Sequence, residues 1–365
     1  MQSSPSTSDT PLIGGAAPVF LRRTPTPLLE GPEFVEAVFL PGRGMNFFQA
    51  RGVFPGSGEI NLLASPPLAE AGNQLDGGSD DFMGVRSFSF GGAVLVPFAN
   101  RVRGRLQPDG RTLETEIPGR VVRLPADWCG KHPGAEKCAI HGLILAAKFD
   151  LVEVTPERVK ASLRGYDFGG YWVSKIDVLV EAELSARAVD FAVRVANAGR
   201  EPMPVGIGWH PYLALPSGER RQARLRVPGR QRVLLNNYDD VFPTGKMTPV
   251  AGSKYDFRGQ GGTPLGDVYL DDCFADLDKT AAGHTVIEIS DPAARYGVRV
   301  TALCPQVKAI QIFAPPEKNY VAVEPQFNLA DPYSPLWPPG TDTGMVMLAP
   351  GDATVWKVRL ELLQT

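Results

Sequence analysis

The sequence predicts an all-β protein built of large, stacked antiparallel sheets. Three observations carry this expectation. Apolar and polar residues alternate with period two in one segment after another. Glycine (39 residues) and proline (34) punctuate the chain throughout and without a fixed period, which excludes collagen and indicates many turns. No amphipathic helix longer than about three turns stands out.

The strands can be justified in order. Residues 178–184 read Val-Leu-Val-Glu-Ala-Glu-Leu and 191–195 read Phe-Ala-Val-Arg-Val; the link Ser185-Ala-Arg-Ala188 between them suggests a hairpin. Residues 222–227, 285–290 and 297–302 alternate as well, and 355–362 (Val-Trp-Lys-Val-Arg-Leu-Glu-Leu) alternates most regularly. Turn formers separate them at Asn197-Ala-Gly199, Pro216-Ser-Gly218, Pro228-Gly229, Asp291-Pro292 and Pro350-Gly351. Strands with one apolar face each belong in antiparallel sheets that share a core.

With 365 residues, 43% hydrophobic and 21% charged, the chain can bury a large core. No repeat, charge block or Gly/Ser linker divides it. The expected organisation is a flexible N-terminal segment, residues 1–15, followed by one domain over 16–365. Residues 65–82 read as a surface excursion. A net charge of −3 argues against a nucleic-acid binder. The longest apolar runs, such as Gly91–Ala99, fall well short of the roughly 20 residues that span a bilayer. Met1–Thr10 lacks an apolar targeting core, so a cytoplasmic location is expected, or a periplasmic or secreted one if a signal peptide has been removed. The four cysteines, Cys129, Cys138, Cys273 and Cys304, contain no Cys-x-x-Cys pair, which argues against a structural zinc site. Cys129 and Cys138 flank a short segment and are either two free thiols or a small disulfide loop.

Five clusters carry candidate chemistry. In Gly206-Ile-Gly-Trp-His-Pro-Tyr212, Pro211 biases His210 toward extended backbone, and Trp209 and Tyr212 flank it as aromatics do in sugar sites. In Tyr320-Val-Ala-Val-Glu-Pro-Gln326, Glu324 ends an apolar run, where partial desolvation raises a carboxylate's pKa and makes it a better base. His141 precedes Gly142, where another backbone can approach closely. Asn100 and Arg101, with Arg103 and Arg105 nearby, supply donors suited to sugar hydroxyls or phosphate. Of Asp271 and Asp272, only one can enter a site if the backbone is extended, because neighbours on a strand point to opposite faces.

Taken in order, these clusters resemble the aldose 1-epimerase (galactose mutarotase) family. The resemblance covers most of the chain, from Pro41-Gly-Arg-Gly-Met-Asn46 to the last strand. It rests on Ala99-Asn-Arg-Val102, Ile140-His-Gly142, Gly208-Trp-His-Pro-Tyr212, Pro243-Thr-Gly245, Asp256-Phe-Arg258, Leu270-Asp-Asp-Cys-Phe274 and Glu324-Pro-Gln326. It implies a galactose mutarotase-like supersandwich with the site in an open cleft. It also implies interconversion of the α and β anomers of a free hexose by general acid/base ring opening, with no cofactor and no metal. Carried onto this chain, it makes Glu324 the base and His210 the acid. His141, Asp271, Arg101, Asn100 and, more weakly, Gln326 are then substrate-binding residues, and Asp271 is favoured over Asp272. His132 and His284 match no family position. The expected partner is a small-molecule sugar, with no nucleic acid or membrane, and the chain is expected to be a monomer or weak homodimer.

The chain departs from the family pattern in three places: Ala214 replaces an asparagine common after the His-Pro motif, the run after Gln326 differs, and Trp128–Lys137 looks like an insertion. Three competing readings follow: a hexose-6-phosphate 1-epimerase using Arg43, Arg101, Arg103 and Arg105 for the phosphate, a non-catalytic carbohydrate-binding β-sandwich, and a glycosidase or polysaccharide lyase, with Glu324 and Asp271 as the carboxylate pair a glycosidase needs.

Overall fold

A computed structural model describes residues 11–26, 30–76, 78, 80–130 and 132–364. Residues 1–10 of the expected N-terminal segment lie outside this set. Ile13, further along that segment, is fully buried and bridges to Ala16.

Two antiparallel sheets dominate. A nine-stranded sheet runs in the order Asp150–Val154, Arg158–Tyr166, Ile176–Leu184, Ala188–Asn197, Ala353–Leu363, Tyr296–Ala302, Thr285–Asp291, Arg224–Arg226 and Thr263–Pro264. A seven-stranded sheet runs Pro243–Pro249, Gly229–Leu235, Leu270–Leu277, Ala309–Ala314, Tyr320–Gln326, Gly208–Ala214 and Gly92–Leu95. The expected hairpin is present: Val180 faces Val193, and the Ser185 amide closes the turn on the Ala188 carbonyl at 2.8 Å. Inner side chains of both sheets share one core. Trp356 of the nine-stranded sheet and Trp209 of the seven-stranded one meet edge-on at 6.4 Å, and Phe191 touches both rings. Aromatic pairs of this kind contribute about 0.5–1.5 kcal/mol beyond their buried area. The chain is therefore an all-β sandwich, as its alternation predicts.

Two expectations are corrected. Within the segment read as a surface excursion, residues 65–82, Leu68–Leu75 form a two-turn helix. Its Ala71 and Leu75 are buried against Ile13, Leu40 and Phe48. Apolar residues at Leu68, Ala71 and Leu75 mark one face at helical spacing, a signal too short to separate from loop. The disulfide alternative also fails, because Cys129 and Cys138 are both free. In the ladder Trp128 faces Cys138 and Cys129 faces Lys137, so the two cysteines are one register step apart. Alternation then sends Cys138 into the interior and leaves Cys129 exposed.

Among the described residues no helix is long and apolar enough to cross a membrane.

Candidate active site

The middle of the seven-stranded sheet carries the candidate residues on adjacent strands. Gln311 sits across from Glu324. Gly208 faces Gln326 and Tyr212 faces Ala322, which brings His210 opposite Glu324. Asp271 faces Phe313 one strand further on. A period of two puts these side chains on one face, where they line a cavity of about 250 Å³. That lies just under the roughly 300–1,000 Å³ of drug-sized sites and suits one sugar ring.

His210 and Glu324 are the buried pair at its base. The His210 Nε2 lies 3.2 Å from Glu324 Oε1, and both side chains are nearly inaccessible. Burial drives the electrostatics. Desolvation pushes the Glu324 carboxyl well above the usual range; Asp271 adds to this, and Arg101 opposes it. Desolvation also depresses His210 to about 3. The state that burial favours is therefore a neutral pair, with the carboxyl protonated and the imidazole uncharged. Glu324 Oε2, the other carboxyl oxygen, has no hydrogen-bond partner among the described residues.

His141 and Asn100 come from loops packed over this sheet. Asn100 (φ 62°) and His141 (φ 58°) both adopt left-handed backbone, which asparagine and histidine tolerate better than most residues. They hold each other in place: the His141 amide donates to the Asn100 carbonyl at 2.9 Å, and the Asn100 amide donates to His141 Nδ1 at 3.3 Å. Gly142 follows at φ 85°, and a Cβ there would lie 2.3 Å from the Val96 carbonyl oxygen, which is the close approach expected beside His141. Desolvation lowers the His141 pKa well below normal, helped by His210 and Arg101, so its ring is neutral.

The opposite wall is a polar relay. Asn100 Nδ2 donates to Gln311 Oε1 at 3.0 Å, and Gln311 Nε2 donates to Asp271 Oδ1 at 2.6 Å. Arg101 donates to Asp271 Oδ2 and to Asn100 Oδ1, each at 3.3 Å. Of the doubled aspartates, Asp271 lines the cavity. Asp272 is fully buried elsewhere, held by Arg232 at 2.5 Å and the Tyr238 hydroxyl at 2.9 Å. Gln326 is not brought to the cavity. Its side chain is fully buried, and Nε2 donates to the Asn328 carbonyl at 2.9 Å.

Gln311 is a buried polar residue of the cavity that sequence reasoning missed. Its signal was present: it is the polar interruption in the apolar strand Ala309-Ile-Gln-Ile312. Phe88 carried no such signal, yet its ring contacts His141 at 4.6 Å and His210 at 5.6 Å. Tyr212, Tyr320, Phe313 and Tyr269 form a continuous aromatic wall. His132, which matches no family position, pairs with Asp240 at 3.0 Å on the exterior.

Among the described residues, His141, His210 and Glu324 have potential ligand atoms within 4.8 Å of one another and form the group that could hold a metal. The Asn100 amide, however, occupies Nδ1 of His141. The neutral ring then carries its proton on Nε2, which is a donor and offers no lone pair to a metal.

The four arginines of the phosphate reading are each committed to carboxylates. Arg43 pairs with Asp76 and Asp81, Arg101 with Asp271, Arg103 with Asp331, and Arg105 with Glu114. Of these, only Arg101 lines the cavity.

No curated protein matches the chain in sequence. Solved structures share its fold. An aldose epimerase homologue from C. elegans superposes with a TM-score of 0.70 at 15% identity, covering 96% of this chain and 99% of that one. A galactose mutarotase-like protein from Clostridium acetobutylicum superposes at 0.68 with 18% identity, covering 91% and 95%. A galactose 1-epimerase from Lactobacillus acidophilus superposes at 0.59 with 15% identity, covering 95% and 98%. The aldose 1-epimerase family profile matches residues 68–361, and the chain belongs to that family.

Proposed function

We propose that the protein is an aldose 1-epimerase that interconverts the α and β anomers of a free hexose. The observation that carries this is the buried His210–Glu324 pair at the base of a ring-sized cavity. Such a pair performs ring opening without a cofactor. With Glu324 ionised and His210 protonated, Glu324 takes the proton of the C1 hydroxyl. The C1–O5 bond breaks, its electrons remain on O5, and His210 delivers a proton there. The open aldehyde then stands beside a neutral acid and a neutral imidazole, the proton distribution that burial favours. Rotation about C1–C2 presents the other carbonyl face. His210 takes back the C5 hydroxyl proton as O5 attacks C1, and Glu324 returns its proton to O1.

The starting tautomer differs from the neutral one by a proton shift across the 3.2 Å contact; Arg101 stabilises its carboxylate and opposes its imidazolium. The relay through Asn100, Gln311 and Asp271, together with Arg101 and His141, supplies donors and acceptors for the remaining hydroxyls. The aromatic wall packs on C–H faces. The pairing of all four candidate arginines with carboxylates supports a free hexose over a phosphorylated one.

Polarimetry on fresh α-D-glucose and α-D-galactose tests this. The wild-type protein should accelerate mutarotation above the spontaneous rate and Glu324→Gln should not. No acceleration with either sugar refutes the reading.

A further inference from the structure

Two segments of distant sequence meet beside the sugar cavity. One is the hairpin in which Trp128 pairs with Cys138 and Cys129 with Lys137. The other is the loop 236–241, between the strands Gly229–Leu235 and Pro243–Pro249. Cys129 and Gly130 of the hairpin line the same cavity as Tyr238, Asp239 and Val241 of the loop. They touch at Gly130, where a Cβ would lie 2.6 Å from the Asp239 carbonyl oxygen, so the residue without a side chain permits the approach.

The loop is under strain. Val241 sits at φ 61°, a costly conformation for a β-branched residue and one that persists only where its surroundings hold it. Asn237 Oδ1 accepts the amides of Asp239 and Asp240 at 2.8 and 2.7 Å. The Tyr238 hydroxyl donates to the buried Asp272 at 2.9 Å.

His132 joins the two segments outside the cavity. Its Nε2 lies 3.0 Å from Asp240 Oδ1 and its Nδ1 lies 3.2 Å from the Pro133 carbonyl oxygen. Both partners can only accept. The carbonyl has no proton to give. Asp240 is held ionised, first by Asn237 Nδ2 at 3.2 Å and then by His132, which keep its carboxyl below the usual range. A neutral imidazole has one N–H and serves one of these acceptors, whereas the imidazolium serves both. The Asp240 contact, then the Pro133 carbonyl, raise the His132 pKa, and the Asp239 charge adds to them. Glu136, also on the hairpin, lies within range of the Asp240 charge.

We propose that His132 is a positioning residue for the sugar cavity: its imidazolium ties the hairpin to the loop through Asp240 and so sets Tyr238 and Val241 against the bound ring, and its neutral form releases them. This rests on the epimerase reading above and adds a pH-dependent regulation of that same site. The tie is complete below the His132 pKa and is lost as pH rises through it. Sugar affinity falls over that interval, and the proton transfers of His210 and Glu324 do not pass through His132.

The test measures KM and kcat by anomer-exchange NMR from pH 5.5 to 9 in wild type, His132→Gln and Asp240→Asn, with thermal melts to check folding. At the acid end both variants should have a KM about two- to fivefold above wild type, the worth of one exposed ion pair, with kcat little changed. The ratio should approach one at the alkaline end. A ratio that is one throughout, or that does not change with pH, overturns the proposal.

NMR titration of the His132 ring gives a second reading. Its pKa should stand above the ordinary 6.5 and drop in Asp240→Asn. Because coupling is reciprocal, saturating glucose or galactose should raise it by the logarithm of the KM ratio. A pKa that the turned-over sugar leaves in place counts against the proposal. If no hexose is turned over, the epimerase reading fails, and the tie is decided in the free protein. Gly130→Ala, which forces the hairpin off the loop, should then return the His132 pKa toward 6.5, and an unchanged value overturns the tie.

Discussion

Replacing Glu324 by glutamine removes one proton acceptor and little else. The side chain is isosteric, and Glu324 is 1% exposed, so the amide stays where the carboxyl was. Its Nε2 can still donate to His210 across the 3.2 Å contact, so packing and the His210 orientation survive. What disappears is the group proposed to take the C1 hydroxyl proton. A positioned general base contributes on the order of 10²–10⁴ in rate, or about 3–5 kcal/mol of transition-state stabilisation. The kcat for mutarotation, read by polarimetry or anomer-exchange NMR, should fall by that factor with a smaller change in KM. Stability should move in a defined direction. Because burial raises the folded-state pKa of Glu324, its contribution is fully present below the unfolded value near 4.5 and is lost as pH rises toward the folded value. The variant should therefore lose less stability than wild type between pH 5 and pH 8 in urea titrations. The double variant Glu324→Gln/His210→Asn should be close in rate to either single one, because the pair acts as a unit. If both single variants keep near-wild-type rates, the acid/base assignment is wrong.

Other predictions follow from the same geometry. His210 is depressed to about 3, so its contribution is present above the unfolded pKa near 6.5 and is lost as pH falls toward 3. His210→Asn should flatten the acid limb of the stability curve by up to about 1.4 kcal/mol per pH unit, as measured by denaturant midpoints. Asp272→Asn should cost about 3–5 kcal/mol in chemical denaturation, because it strips the partner from the largely buried Arg232. Asp271→Asn, at the cavity wall, should instead raise KM at smaller cost in stability. Gly142→Ala should lower both stability and activity, since its Cβ would meet the Val96 carbonyl beside His141. In the native protein a thiol reagent should titrate Cys129 and leave Cys138, Cys273 and Cys304 unreacted, because burial pushes all three buried thiols up in pKa, Cys273 to about 12.

Local information in the chain determined a good deal. Strict alternation in segments such as Val355–Leu362 specified strands with one buried face, and from these followed antiparallel sheets around a common core. The rarity of histidine and the Pro-flanked settings of His210 and Glu324 marked those residues, and alternation alone required that only one of Asp271 and Asp272 face the cavity. Other features belonged to the tertiary structure, because they depend on which strands become neighbours. His210 and Glu324 are 114 positions apart in sequence, and pairing between their strands brings them to 3.2 Å. Gln311 reads locally as an oddity in an apolar strand and becomes a link only once Asp271 and Asn100 converge on it. Gln326 shares a strand with Glu324 and still lies outside the cavity, because its amide donates to the Asn328 carbonyl. The burial that neutralises His210 and Glu324 is likewise a property of the assembled sandwich: desolvation depends on everything packed around a charge, and no stretch of sequence carries that by itself.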